Sequence, residues 1–233
     1  MSIRIKVLIL AIAILSTLLS CATLSATNSS ATKNISLILS NPRIYDKFNN
    51  GDGLLNTKTA SSGQTWKLTG AGYNTAKIIN GMFVSHENVY AYLPFGGTVS
   101  WLGGSFSFIP GLGTNDPNIQ GMTLIADQIF GGLSTMLHLN FGPKSWFLMK
   151  RISGGAFIPM LSGQYNLRTD GTVYTISMAI SEDTVFVIAP DGVVSSVTDP
   201  DVGAIKARYG CWQITGYANM FTGRWNSVEG DFK

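Results

Sequence analysis

The sequence predicts an all-β sandwich, and three observations carry that prediction. Between Asn34 and the C-terminus the apolar runs are short and are broken by Gly, Pro, Asn and Asp. No stretch there keeps the 3.6-residue apolar period of an amphipathic helix of useful length. Thr172 to Ile180 alternates strictly, with Tyr174, Ile176, Met178 and Ile180 on one face and Val173, Thr175, Ser177 and Ala179 on the other. Period two with one bulky face marks a strand with one side in a core. No block recurs at a fixed period, which argues against a propeller or a solenoid.

The N-terminus precedes this domain and reads differently. Arg4 and Lys6 lead into an apolar run from Val7 to Leu19, about 13 residues against the ~20 that a spanning helix needs. A basic start, a short apolar centre and small residues after it describe an export signal over 1–21. Leu18-Leu19-Ser20-Cys21 resembles the bacterial lipobox, in which the Cys receives lipid, so Cys21 is a candidate for membrane attachment. Ser20-Cys21-Ala22 equally fits the small-x-small cleavage site of ordinary secretion. Residues 22–33 form a Ser/Thr/Ala/Asn tract too poor in apolar bulk to offset its ordering entropy. They read as a flexible tether, which runs over 22–40 and ends in a short strand at Ile35–Leu39.

Removing Arg4 and Lys6 with the signal leaves 14 basic against 13 acidic side chains. The remaining Lys and Arg are scattered singly, so no basic patch points to nucleic acid. About 190 residues, 41–233, are enough for one sandwich domain. With Cys21 lipidated or removed, Cys211 stands alone and reads as a small buried apolar residue.

Taken in order, Tyr45-Asp46 extends into Phe48, and Asn49 to Gly53 makes a turn-rich loop before Trp66. Ala76–Ile79 and Met82–His86 flank Asn80-Gly81, a strong hairpin signal. Val89–Leu93, Thr98–Leu102 and Ser105–Ile109 follow, the last two parted by Gly103-Gly104. After the loop Pro110–Asn118 come Met122–Ala126, one helical turn at Ile129–Leu133, then Met136–Phe141, Ser145–Arg151 and Phe157–Leu161. The closing stretch from Thr184 reads as strand, Pro190-Asp191-Gly192 turn, strand, Asp199-Pro200 stop and an aromatic strand around Trp212.

These residues also carry a resemblance. YDKFNNGDGLLN…GQTW from Tyr45 to Trp66 resembles the opening of concanavalin A-like (laminin G-like) jelly-roll domains of bacterial secreted proteins and phage minor tail proteins. His138 to Pro143 with Trp146, Asp170-Gly171-Thr172 with Tyr174, Pro190-Asp191-Gly192, Asp199-Pro200 and Tyr209 to Gln213 fit the same pattern. The resemblance implies a two-sheet antiparallel jelly roll over Tyr45 to Val228. It departs from the pattern at Asn50, where relatives carry Arg, and at Gln213, where they often carry Glu. The fold hosts lectins, glucanases and structural domains alike, so the resemblance does not choose a ligand.

Motifs for chemistry are sparse. Glycosidases need two carboxylates about 5 Å apart for retaining cleavage, in this fold as Glu-x-Asp-x-x-Glu. The three Glu residues, Glu87, Glu182 and Glu229, have no second carboxylate at strand spacing, and Glu182-Asp183 points to opposite faces. His86-Glu87 lacks the second His of a zinc site, and Gly70-Ala71-Gly72 lacks the rest of a phosphate loop. Asn49–Asp52 and Asp199-Pro200-Asp201 offer oxygen ligands for calcium, although Asx turns explain both. No cofactor is implied.

Aromatic rings remain, and they stack on sugar rings. The candidates are Tyr90, Tyr92 and Trp101, in strands where alternate residues are exposed, then Trp146 and Trp225. The expectation is an exported, non-catalytic module that binds a glycan or another surface polymer. A structural or assembly protein of a phage tail or cell envelope, forming oligomers in solution, is the alternative, and an atypical glycan hydrolase is the third reading.

Overall fold

The computed structural model describes residues 42–112, 116, 118–125, 134–216 and 221–233. Cys21, the strand expected at Ile35–Leu39 and the helical turn expected at Ile129–Leu133 lie outside them.

Among the described residues sixteen strands run in chain order: β1 (Ile44–Asp46), β2 (Gly53–Leu54), β3 (Lys67–Thr69), β4 (Lys77–Ile79), β5 (Met82–Val84), β6 (Val89–Pro94), β7 (Val99–Phe108), β8 (Gln120–Ile125), β9 (Met136–Phe141), β10 (Ser145–Arg151), β11 (Ile158–Gln164), β12 (Tyr174–Ser181), β13 (Thr184–Ile188), β14 (Val194–Thr198), β15 (Tyr209–Ile214) and β16 (Gly223–Phe232). A short helix, α1 (Pro200–Ala204), follows β14. The strands form a nine-stranded sheet, β14-β13-β12-β7-β16-β5-β4-β2 with β1 also on β16, and a seven-stranded sheet, β11-β10-β9-β8-β15-β6-β3. Every pairing is antiparallel. The two sheets pack face to face as a sandwich.

Alternation decides which side chains meet between the sheets. Ile176, Met178, Phe106, Val228 and Trp225 enter from the nine-stranded sheet, and Trp212, Leu124, Leu139, Phe141 and Leu148 from the other. The two central indoles also bond across the gap. Trp212 Nε1 donates to the Gly103 carbonyl at 3.0 Å, and Trp225 Nε1 donates to the Gln213 carbonyl at 3.2 Å. Each sheet thus supplies one indole and one acceptor, which fixes their separation and satisfies two polar groups that burial would otherwise leave bare.

The Tyr45–Trp66 motif is a plug at one end of this core. Asp46 is fully buried and its carboxylate accepts from Trp66 Nε1 at 2.8 Å and from the Phe48 amide at 2.9 Å. That second bond turns the chain sharply, with Phe48 at φ 52°, and sends its ring against Trp66 and Phe83. Asn80-Gly81, with φ of 50° and 71°, forms the expected tight hairpin between β4 and β5.

Gly103-Gly104 is no strand break. It lies inside the ten-residue β7, and its glycines serve packing. A Cβ on Gly104 would stand 2.7 Å from Trp225 Cζ3, and one on Gly103 would stand 3.3 Å from Trp101 Cζ3. The missing side chains let two indoles lie against the strand from opposite sides. The expected Asp199-Pro200 stop is also a helix start: Asp199 caps α1 by accepting from the Asp201 amide at 3.0 Å, with Pro200 in the first turn.

Candidate functional site

The face of the seven-stranded sheet that points away from the core is the candidate site. Register aligns three rows across its middle strands. One row runs Tyr90, Gln213, Gly121, Asn140, Phe147 from β6 to β10. The next runs Tyr92, Cys211, Thr123, His138, Met149. The third brings Tyr209, Met136 and Arg151 alongside. All six residues of β9 are buried, on both faces of the sheet, while Tyr90, Tyr209, Phe147 and Met149 around them are half-exposed. The centre of this face is therefore buried and its rim half-exposed.

At the centre two amides converge over a glycine. A Cβ on Gly121 would lie 2.6 Å from Asn140 Oδ1 and 3.1 Å from Gln213 Oε1. Both oxygens are buried without a hydrogen-bond partner, although Asn140 Nδ2 donates to Asn118 Oδ1 and Gln213 Nε2 to Thr215 Oγ1. Buried acceptors are rarely left bare, and each bare one costs about 1–3 kcal/mol. The centre of this face thus holds two acceptors without donors. Hydroxyl groups of a bound molecule are donors of the right kind.

Tyrosines form the wall beside these amides. Tyr92 stands edge-on to Tyr209 at 6.2 Å between ring centroids, and both, with Tyr90, pack on the Cys211 and Met136 side chains. Burial raises the Tyr92 phenol to about 12, with the neighbouring Cys211 and Tyr209 adding to the effect. Burial likewise raises Tyr90 and the Cys211 thiol. These groups are neutral near pH 7 and serve as surfaces and hydrogen-bonding groups. His138 shares a 2.6 Å hydrogen bond with Thr123 Oγ1 through Nδ1. Burial lowers it to about 4, against a smaller opposing effect from Asn140, so it too is uncharged.

The rest of the aromatic set lies elsewhere. Tyr90 and Tyr92 share this face, but Tyr92 is 3% exposed rather than open. Trp146 faces the core with its indole nitrogen over Gly163, where a Cβ would lie 2.4 Å away. Trp225 is the central core indole. Trp101 belongs to the other sheet and is 1% exposed. The expectation that these three offer a stacking surface is corrected: Trp146 and Trp225 pack in the interior, where large rings are worth most, and Trp101 is buried on the outer side of its sheet against Gly103. Tyr209, Gln213, Asn140 and Thr123 were not among the expected site residues. Their signal was available in the alternation of Met136–Phe141 and Tyr209–Ile214, but it needed the register of β8 between them.

No Asp or Glu falls on any strand of the seven-stranded sheet. Both loops with calcium-like oxygen sets hold a lysine ammonium instead. Lys150 Nζ donates to Asp199 at 2.6 and 2.8 Å and to Asp201 at 2.6 Å. Lys58 Nζ donates to the carbonyls of Asn50 and Asp52. The Lys150 ammonium already neutralises the Asp199–Asp201 carboxylates, so that cluster does not fit a bound calcium. Among the described residues no group of three or more His, Cys, Asp or Glu side chains is placed to hold a metal ion.

Neither a protein-family model nor a curated protein matches the sequence. Solved structures do match in fold. The metal-free VIP36 exoplasmic/lumenal domain aligns with a TM-score of 0.55 at 10% identity, over 82% of this chain and 92% of that one. A β-glucanase of Bacillus licheniformis aligns with a TM-score of 0.55 at 10% identity, over 81% and 97%. LamAcat of Zobellia galactanivorans gives 0.55 at 8% identity, over 82% and 98%. The fold is the concanavalin A-like jelly roll.

Proposed function

We propose that this chain is an exported, non-catalytic binding module that takes a glycan or another hydroxyl-rich surface polymer into the recess of its seven-stranded sheet. One observation carries the reading. Asn140 Oδ1 and Gln213 Oε1 are buried, converge over Gly121 and have no donor, while Tyr90, Tyr92 and Tyr209 stand beside them. Acceptors that fix orientation next to aromatic surfaces form the usual polar-and-ring combination of a sugar site. Fold neighbours are consistent with it: the VIP36 domain has been solved in a Ca2+/Man3GlcNAc-bound form, and another neighbour is a β-glucanase.

Binding is favoured over hydrolysis because, among the described residues, no strand of the seven-stranded sheet carries a carboxylate, whereas glycoside cleavage needs an acid and a second carboxylate. Affinity electrophoresis through polysaccharide gels, run beside an assay for new reducing ends, tests the two together. Retardation without reducing-end release supports the module. Release that depends on the recess makes it a hydrolase.

A further inference from the structure

Register brings two basic residues that lie far apart in the sequence into one row on the outward face of the nine-stranded sheet. Phe83, Phe106, Phe108 and Trp225 belong to the core, so their strand neighbours Val84, Ser107 and Arg224 face away from it. Ile78 is likewise a core residue, which turns Lys77 outwards. Pairing then aligns Leu54, Lys77, Val84, Arg224 and Ser107 across β2, β4, β5, β16 and β7. Arg224 and Lys77 stand two strands apart, about 10 Å.

The donors on this row are unspent. Ser107 is 1% exposed, and its hydroxyl accepts from Arg224 Nε at 2.9 Å and donates to Asn226 Oδ1 at 3.2 Å. Asn226 comes alongside because β16 bulges between Trp225 and Ser227, which adds a side chain at this point of the face. These bonds occupy Nε of Arg224 and the oxygen of Asn226. Among the described residues the Nη fork of the one and the amide nitrogen of the other meet no acceptor. The fork leans across β7 to Gly171, where a Cβ would stand 3.1 Å from Nη2. The carboxylate of that turn is already engaged, since Asp170 accepts from the Thr172 amide at 3.0 Å, from Thr172 Oγ1 at 2.5 Å and from Arg168 at 2.7 Å. Among the described residues neither Arg224 nor Lys77 forms an ion pair.

We propose that this row is a second binding site, which takes the oxyanion groups of an acidic polymer. The Arg224 fork and the Asn226 amide hold one carboxylate or sulfate, and Lys77 holds the next along the polymer. A guanidinium fork matches two oxygens of such a group. Because Arg224 leans away from β4, the two cations do not converge on a single ion, whereas a chain of repeated charges serves both. The seven-stranded sheet holds acceptors without donors and this face holds donors without acceptors, so the two sites take different groups and neither depends on the other.

Titration of a short fluorescein-labelled dextran sulfate tests the site, with labelled neutral dextran beside it. The chain should bind the sulfated polymer and not the neutral one. Arg224→Gln should weaken binding about fivefold or more and Lys77→Gln about twofold or more. Lys47→Gln, which removes an exposed charge in the loop after β1, should change it less than either. Sodium sulfate should displace the polymer at a lower ionic strength than sodium chloride does, because the site holds the sulfate group itself. Failure to bind dextran sulfate overturns the proposal. An equal loss in Lys47→Gln, or equal displacement by the two salts, overturns it in favour of diffuse attraction. Melting curves show that each variant is folded; should Arg224→Gln fail to fold, Arg224→Lys keeps the charge and loses the fork, and a weakening of about twofold or more is expected. The Asn140→Ala, Gln213→Ala variant should keep its affinity for dextran sulfate, and a loss there overturns the assignment to the nine-stranded sheet.

Discussion

Asn140 and Gln213 sit two strands apart, yet their side-chain oxygens meet over Gly121, the residue between them in the same row. Glycine is what allows it. Any Cβ there would stand 2.6 Å from Asn140 Oδ1, closer than a real contact permits.

Gly121→Ala therefore tests the recess with a single methyl group. The new Cβ meets the end of the Asn140 side chain and the Leu139 carbonyl at 3.0 Å, so the amide turns aside while the strand persists. The expected outcome is a loss of polymer affinity of tenfold or more, about 1.4 kcal/mol, with a thermal midpoint within a few degrees of the parent. Calorimetric titration and a melting curve read both.

Gln120 lies beside this row but faces the core, and both atoms of its amide are fully buried without partners. Gln120→Met keeps the length of the side chain and removes the bare amide. The variant is expected to be more stable by about 1–3 kcal/mol. Urea denaturation measures it, and a lower midpoint contradicts the assignment of that side chain to dry surroundings.

Asp46 binds Trp66 and the Phe48 amide from a fully buried position. Asp46→Ala leaves both donors bare and opens space at the plug, so a cost of about 2–4 kcal/mol is expected. Asp46→Asn keeps one acceptor for Trp66 and should cost less. Chemical denaturation of the two variants gives the order.

Lys150 ties β10 to the start of α1 through Asp199 and Asp201. The hydrogen bond from Lys150 holds the Asp199 carboxyl below its ordinary 3.8, and the same bond to Asp199, then that to Asp201, holds the Lys150 ammonium above 10.5. The folded state thus binds the Asp199 proton less readily than the unfolded chain. The pair contributes fully above about pH 4, and its contribution falls as the pH drops further. On the alkaline side the contribution is full below about pH 10 and falls above it. Lys150→Met should lower the midpoint at pH 7 by about 2–4 °C and flatten the acid limb of the stability profile, which a series of melts between pH 3 and 8 would show.

The Cys211 thiol is held up by burial among Tyr92 and Met136. It should stay unmodified by iodoacetamide at pH 8 in the native state and react fully in urea. Fast native labelling would contradict the packed face on which Tyr90 and Tyr92 rest.

Much of this architecture was legible in the residues. Met136–Phe141 and Ser145–Arg151 are strands with the expected bounds, because alternation and the intervening Gly142-Pro143 both act locally. The Asn80-Gly81 hairpin was legible for the same reason. Gly103-Gly104 misled, since a glycine pair that breaks a strand and one that admits two indoles look alike until the partners are known. The tryptophans misled on the same ground. Whether Trp101, Trp146 or Trp225 faces water depends on which sheet face is covered, a long-range fact absent from spacing. Asn140 and Gln213 were visible only as polar residues in alternating strands. Their convergence arises from the register of β8, which is set by its pairing with the distant β15.

The most direct test of the central claim is a broad array of glycans and polysaccharides probed with the exported chain and with the Asn140→Ala, Gln213→Ala double variant. The account predicts micromolar or weaker binding to some hydroxyl-rich polymer by the parent chain and its loss in the folded double variant. Absence of binding across the array, or binding that the double variant retains, contradicts it.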